Sequence, residues 1–418
     1  MIKYNSSDIK CAYYNTSEVI KVYKGNDMAF YSTAKHEHNY ANDYFTLRAI
    51  TDSQFQLSGS TKNLYSLDSG ATWYSIGGGN KTPTVTAGNT ILWKKNNPTP
   101  QSTLGIGKFT STGDFEAEGN VMSLLYSDNF KNTTSLSGYN YAFKALFSGC
   151  TNLQNVENLV LPATTLANYC YDGMFAGCTK ITKVPALPAT ALTQYCYANM
   201  FKGCTSLTQS PTLPARTVNS YCYKNMFSGC TSLITPPELP AITLSTECYQ
   251  YMFYGCKSLT TAPNLPATTL AQSCYGGMFQ GCTGLTTAPV LSATTLAQSC
   301  YGQMFNGCTS LTTAPELPAT SLTQSCYSMM FTNCTSLTTA PDLPAPILAD
   351  YCYYYMFGSC NNLNKVKCLA TDKSATSCTY YWLNNVASTG TFIKDANMTS
   401  WPSGNSGIPT GWTVQNAT

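Results

Sequence analysis

From Cys170 to Cys360 apolar side chains return at fixed offsets with a constant period of 26, framing the phrase Cys-Tyr-x-x-Met-Phe-x-x-Cys in eight successive copies. The first cysteines are Cys170, Cys196, Cys222, Cys248, Cys274, Cys300, Cys326 and Cys352; the second are Cys178, Cys204, Cys230, Cys256, Cys282, Cys308, Cys334 and Cys360. No copy gains or loses a residue. A single coil cannot bury its apolar face until its neighbour stacks on it, so the period predicts a solenoid. Within a coil, Cys282–Pro289 predicts a bend followed by a short strand that the proline stops, and Tyr275–Phe279 predicts a helical or 3-10 turn. The inward set is Leu285, Leu291, Leu296, Cys300, Met304, Phe305 and Cys308. At about 1.5–3 kcal/mol per buried large side chain, stacking supplies most of the stability.

The repeats begin and end imperfectly. Ala142 stands in the first cysteine column of an opening copy that closes at Cys150, and the next copy arrives two residues late. At the far end Trp382-Leu383 replaces Met-Phe after Cys378, and the tail with Trp401 and Trp412 is expected to fold over the open end. Before the repeats the pattern is shorter and strand-like. Ile9–Tyr14, Val19–Tyr23 and Met28–Tyr31, with a Lys24-Gly25-Asn26-Asp27 turn, predict a hairpin. Tyr44–Leu47, Phe55–Leu57, Thr90–Trp93 and Phe115–Ala117, separated by Gly, Asn and Pro clusters, predict a small β-sandwich. The expected organisation is an anchoring β segment over 1–33, a β-rich domain over 34–138, the repeats over 139–388 and a cap over 389–418.

Composition removes several function classes. Lys and Arg number 23 against 20 Asp and Glu, a net charge of +3 with no basic stripe, so nucleic acid is not an expected partner. No apolar run reaches the length of roughly 18 residues that a membrane span requires. The first residues lack the apolar core of a secretory signal, so neither insertion nor evident export is expected. Of 20 cysteines, 18 fall in the two columns, counting Cys150 and Cys378. Residues eight apart on a helical turn lie roughly 12 Å apart, beyond the roughly 7 Å reach of a disulfide, so two ladders of buried thiols are expected. The absence of Cys-x-x-Cys, with only His36 and His38 as histidines, argues against zinc, and no cofactor is expected.

Leu311 to Leu317-Pro318, Cys326, Met330-Phe331 and Cys334 resemble the BspA-type leucine-rich repeats over about residues 140 to 385, with Cys for the family's Ile and Met for its Ala. The resemblance implies a leucine-rich-repeat solenoid and a place among surface adhesins that bind host proteins or other cells. Val22–Gly25 and Gly407–Val414 are also similar to segments of repeat proteins from gut Bacteroidales and their tailed phages. Together with the missing signal, that similarity implies an attachment or fibre protein on a virion surface. It would dock to a capsid or tail protein through residues 1–33 and present the repeats to a bacterial envelope glycan or protein, as a monomer or a homo-oligomer. A bacterial cell-surface or extracellular adhesin and a particle-stabilising decoration protein are the alternatives.

Comparing the copies with one another locates the variable positions: the pair after Cys-Tyr, the residue after Phe, and the site between Pro and Leu. Exposed drift and a specificity-bearing face both account for this. On the second account the contact residues are Tyr195, Tyr221, Lys224, Tyr251, Tyr254, Gln280, Gln303, Tyr351, Tyr354 and Tyr355, since Tyr joins area to a hydrogen-bonding tip. The invariant column from Tyr171 to Tyr353 reads as a structural ladder. Other chemistry is thin. Glu316 and Asp342 share a column in adjacent coils, where chance accounts for them, and no nucleophile has a recognisable base, so an enzyme is not expected. Ser66-Leu67-Asp68-Ser69-Gly70-Ala71-Thr72-Trp73 matches an Asp-box, read as a capped hairpin turn.

Overall fold

The computed structural model describes residues 39–59, 63–96, 105–399 and 401–418, with the backbone of three strands before them. His36, Glu37 and His38 lie outside the described residues. Residues 1–40 and 41–418 form separate compact units. In the first, β1 (Ile9–Cys11), β2 (Ile20–Lys24) and β3 (Asp27–Ser32) make an antiparallel sheet in that order, the predicted hairpin being β2 and β3.

The second unit opens with β4 (Phe45–Ala49), β5 (Phe55–Leu57), β6 (Asn63–Ser66), β7 (Tyr74–Ile76), β8 (Thr90–Lys95), β9 (Phe109–Ser111) and β10 (Phe115–Asn120). Alternation does the sorting. Phe45, Leu47 and Ala49 of β4 point into the core, while Arg48 on the other face reaches Glu118 on β10 at 2.7 Å. The β5–β9 pair packs on the main sheet through rings: Phe109 lies 5.3 Å from Phe45 and 5.1 Å from Trp93.

A free-standing sandwich is not what forms. After a single helical turn, α1 (Ser123–Tyr126), the first coil contributes β11 (Leu153–Asn155) and β12 (Leu159–Val160). Both pair in parallel with β10, so the sheet order runs β11-β10-β4-β8-β6-β7. The boundary expected at 138/139 therefore falls inside one unit. The physical reason is an edge: β10 is paired to β4 on one side and would otherwise leave its other side open. Phe109 and Phe115 cover Phe147 of the first coil at 5.8 and 6.4 Å, closing the start of the stack.

The coils follow the predicted period with a different local structure. The N–H groups of Cys274, Gly276, Met278, Gln280 and Cys282 bond to carbonyls three residues back at 3.0–3.2 Å. Those between them, on Tyr275, Gly277, Phe279 and Gly281, bond to Cys300, Gly302, Met304 and Asn306 of the next coil at 2.7–3.0 Å. Every second donor thus joins neighbouring coils. Ser273, Gly277 and Gly281 adopt φ of +50°, +59° and +72°, the left-handed conformation at every fourth residue. That periodic reversal, with half the donors directed outward, replaces the expected helical or 3-10 turn by a chain of overlapping turns. The expected short strand is likewise reduced to one-residue bridges such as Thr261 to Thr287 to Thr313. Pro263, Pro266, Pro315 and Pro318 supply no N–H to extend it.

Inside, every expected inward residue is buried. Phenylalanines from Phe147 to Phe357 stack with centroids 5.5–5.8 Å apart, and the invariant tyrosines from Tyr171 to Tyr353 stack at 5.6–6.2 Å. The described cysteines, Cys150 to Cys378, are buried free thiols. Those of the second column have a specific partner: Cys256 donates to the Phe227 carbonyl at 3.1 Å, and the pattern repeats from Cys178 to Cys360. That carbonyl already accepts the Cys230 N–H in its own coil, so the thiol fills its second lone pair.

The far end continues as β13 (Lys365–Cys368), β14 (Thr391–Lys394) and β15 (Thr413–Asn416), a parallel sheet whose last strand is exposed along its length. Trp382 lies parallel to Trp401 at 5.6 Å and edge-on to Phe392 at 6.0 Å, while its indole N–H reaches the Gly407 carbonyl at 2.8 Å.

Candidate functional site

The overlapping turns determine what each coil can display. Their left-handed positions are the residue before the first cysteine, the third residue after it, and the residue before the second cysteine. Six of the ten candidate residues occupy the first two of these: Tyr195, Tyr221, Tyr251, Gln303, Tyr351 and Tyr355, with φ between +49° and +61°. A non-glycine residue there costs about 1 kcal/mol or more, so a bulky ring in such a place is held against a local preference.

The candidates do not form one continuous face. Tyr195 and Tyr221 belong to a ladder with Tyr141 and Tyr169, whose rings stack in parallel at 4.8, 4.5 and 4.4 Å. This is closer than the buried ladders. Neighbouring rings use one another's faces, and their partial burial and mutual proximity raise the Tyr195 phenol above its ordinary pKa. Lys224 lies 5.4 Å from the Tyr221 ring centre and pairs with Glu247; at the other end Lys144 lies over Tyr141 and Tyr169 and pairs with Asp172 at 3.1 Å. The ladder is thus flanked by ion pairs.

Tyr251 and Tyr254 make an edge contact at 6.0 Å, and the Tyr251 ring lies directly over Gly277 of the next coil. Its position is explained by packing, whereas Tyr254 is 45% exposed. Gln280 and Gln303 are half-buried, and their flanking turn positions hold Ser273, Gly276, Ser299 and Gly302.

About 25 Å from Tyr221, five coils along at roughly 4.8 Å each, Tyr351, Tyr354 and Tyr355 join two tyrosines that sequence reading missed. Tyr380 packs parallel to Tyr354 at 5.5 Å and Tyr381 parallel to Tyr355 at 5.3 Å, while Tyr351 meets Tyr354 edge-on at 5.9 Å. The signal was in the period, since Tyr380 and Tyr381 follow Tyr354 and Tyr355 by one full repeat. As the imperfect last copy of the repeat, 378–383 lay outside the compared columns.

The remaining candidates are modest. Glu316 and Asp342 line an open depression of about 380 Å³ with Leu317, Pro318 and Pro344, and Asp342 is paired with Lys367 at 2.6 Å. Among the described residues no group of three or more His, Cys, Asp or Glu could hold a metal ion, and no helix is long and apolar enough to cross a membrane. The Asp-box forms the turn between β6 and β7. There Asp68 accepts the Thr72 N–H at 2.8 Å and the Ser66 hydroxyl at 2.7 Å, which together lower its pKa to about 2. Trp73 packs edge-on against Tyr44 at 5.0 Å, under the Lys94 ammonium.

Comparison with known families decides the class. The model of the BspA type leucine rich repeat region matches in six copies, over residues 122–260, 168–303 and 294–402. The chain belongs to the BspA-type leucine-rich-repeat family. Its matched region covers the stacked coils but not β9, β10 or β15 at their two ends, and the family is one of surface- and adhesion-type repeat proteins. No curated protein matches the chain.

Proposed function

We propose that this BspA-type repeat protein is a non-enzymatic attachment protein carried on the surface of a bacteriophage particle. Residues 1–33 dock it to a capsid or tail protein, and the turn face of its solenoid meets a bacterial envelope glycan or protein. The observation that carries the binding role is the division within each coil: buried columns repeat one composition, while half-buried and exposed tyrosines gather on the turn segments of particular coils, many of them at left-handed positions. The separate compact unit at residues 1–40 supports a distinct docking element. Family membership favours a second reading, a bacterial cell-surface adhesin using the same turn face.

Mass spectrometry of gradient-purified particles and washed cell envelopes from the source culture separates the two. Repeat peptides enriched in particles support the virion reading; enrichment in envelopes without particles replaces it by the adhesin. Deleting residues 1–33 is expected to abolish particle docking while leaving the repeats folded, and continued docking by the truncated chain would refute the anchor.

A further inference from the structure

The two tyrosine groups differ in a way that selects a ligand class. In the ladder from Tyr141 to Tyr221 the ring faces are taken by neighbouring rings, and lysines lie over the ladder at both ends. In the group at Tyr351, Tyr354, Tyr355, Tyr380 and Tyr381, ring faces are left open. Tyr351 touches Tyr354 only through an edge contact and is 37% exposed. Tyr380 stacks one face on Tyr354, meets Tyr381 and Tyr355 only at a tilt, at 4.5 and 6.0 Å, and is 43% exposed.

The surroundings carry few charges, with Lys373 bordering the second turn segment near Cys378. Residues 349–359 and 375–385, the two turn segments that build the group, contain one charged side chain, Asp350, whose carboxylate is held by the Thr376 N–H at 2.7 Å. The rest of their polar surface is hydroxyl and amide, from Thr376, Ser377, Asn384 and Asn385. Three of the five rings sit on left-handed residues, Tyr351, Tyr355 and Tyr381 at φ +55°, +49° and +50°. Asn199, Asn225 and Gly277 occupy the equivalent position to Tyr355 in other coils, so the turn itself does not require an aromatic residue there.

Open aromatic faces beside neutral donors and acceptors match a pyranose ring, which offers an apolar C–H face and a rim of hydroxyls. The scarcity of cations disfavours a phosphate, sulfate or acidic ligand. Resting on the attachment reading above, we infer that this five-tyrosine surface at the C-terminal end of the stack binds a neutral glycan, with Tyr351 and Tyr380 as the stacking platforms.

The test uses the full chain, with immobilised neutral hexose and N-acetylhexosamine oligosaccharides as probes and sialylated and sulfated ones alongside. Tyr351→Gly removes one platform while relaxing its left-handed backbone, so it keeps the coil folded; Tyr380→Ala removes the other. Each is expected to weaken binding to neutral probes about tenfold, with acidic probes not preferred. Binding unchanged in both variants, a preference for acidic probes, or no binding to any oligosaccharide overturns the proposal. Cells treated with periodate, which cleaves vicinal diols, or with protease give a second readout. Attachment lost only after protease overturns the glycan while leaving the attachment function standing, and attachment lost only after periodate supports both. Failure to bind any untreated cell refutes the attachment reading itself, and the oligosaccharide arm still decides the site.

Discussion

The packing of Tyr251 over Gly277 yields a sharp test of the coil geometry. A Cβ built on Gly277 would lie 2.2 Å from Tyr251 Cε1 and 2.4 Å from Cδ1, so the ring must move by more than 1 Å to restore ordinary contact. Gly277 also has φ +59°. Gly277→Ala therefore combines a left-handed cost of about 1 kcal/mol with displacement of the ring from its site and from Tyr254, about 1–2 kcal/mol more. Gly255→Ala isolates the first term, because Gly255 has φ +68° and nothing within 4 Å of its Cβ position. Urea unfolding followed by circular dichroism, compared at a common slope, is expected to rank Gly277→Ala below Gly255→Ala by that second amount. In a Tyr251→Ala background the cost of Gly277→Ala is expected to fall to that of Gly255→Ala, a coupling of about 1–2 kcal/mol. Equal costs in the two backgrounds would refute the ring-over-glycine packing.

The thiol ladder gives two further expectations. Cys256→Ala removes the bond to the Phe227 carbonyl and opens a small cavity, costing about 1–2 kcal/mol by urea unfolding, while a thiol reagent at neutral pH should leave the buried thiols of the native chain unlabelled. Burial raises the pKa of Cys248 and Cys282 from 9.0 to about 12. Above pH 9 the unfolded chain loses thiol protons that the native chain keeps, so stability is level below about pH 9 and falls as pH rises toward 12. Each such thiol contributes a loss of about 1.4 kcal/mol per pH unit, read as a falling melting temperature. A flat profile above pH 9 would contradict the burial. Trp382→Ala, which removes a fully buried ring between Tyr353 and Trp401, is expected to cost about 3–5 kcal/mol and to expose the end of the stack to a hydrophobic dye.

What the sequence disclosed was what repeats. Leu285, Met304, Phe305 and Cys308 were legible as inward because stacking forces one composition down each column, and the four strand phrases before the repeats overlap β4, β5, β8 and β10. The turn chain was not legible. Its donors alternate between carbonyls three residues back and carbonyls of the following coil, and its left-handed sites accept Tyr, Glu, Ser and Met as well as Gly and Asn, so no local signature marks them. Tyr251 read as a free anchor because the complement to its ring, Gly276-Gly277, lies in the next coil. The parallel pairing of β10 with β11 and β12 was hidden for a similar reason, since strand alternation says which face is buried and nothing about which edge is free.

A stack bonded through every second turn donor holds its exposed side chains at intervals set by the backbone. Substitution in a variable column changes one contact without moving the others. This explains how one framework can carry a charged tyrosine ladder at one end and a neutral tyrosine group at the other. It also separates two kinds of aromatic residue that look alike in the sequence. Tyr353 is buried at 1% exposure, so removing it leaves a cavity in the core. Tyr351, two residues earlier, is exposed and on a left-handed residue, so the stack gains backbone freedom when it is lost. A side chain whose removal relaxes the backbone is not retained for packing, and on the proposed glycan reading the exposed rings of the C-terminal group are what the ligand meets.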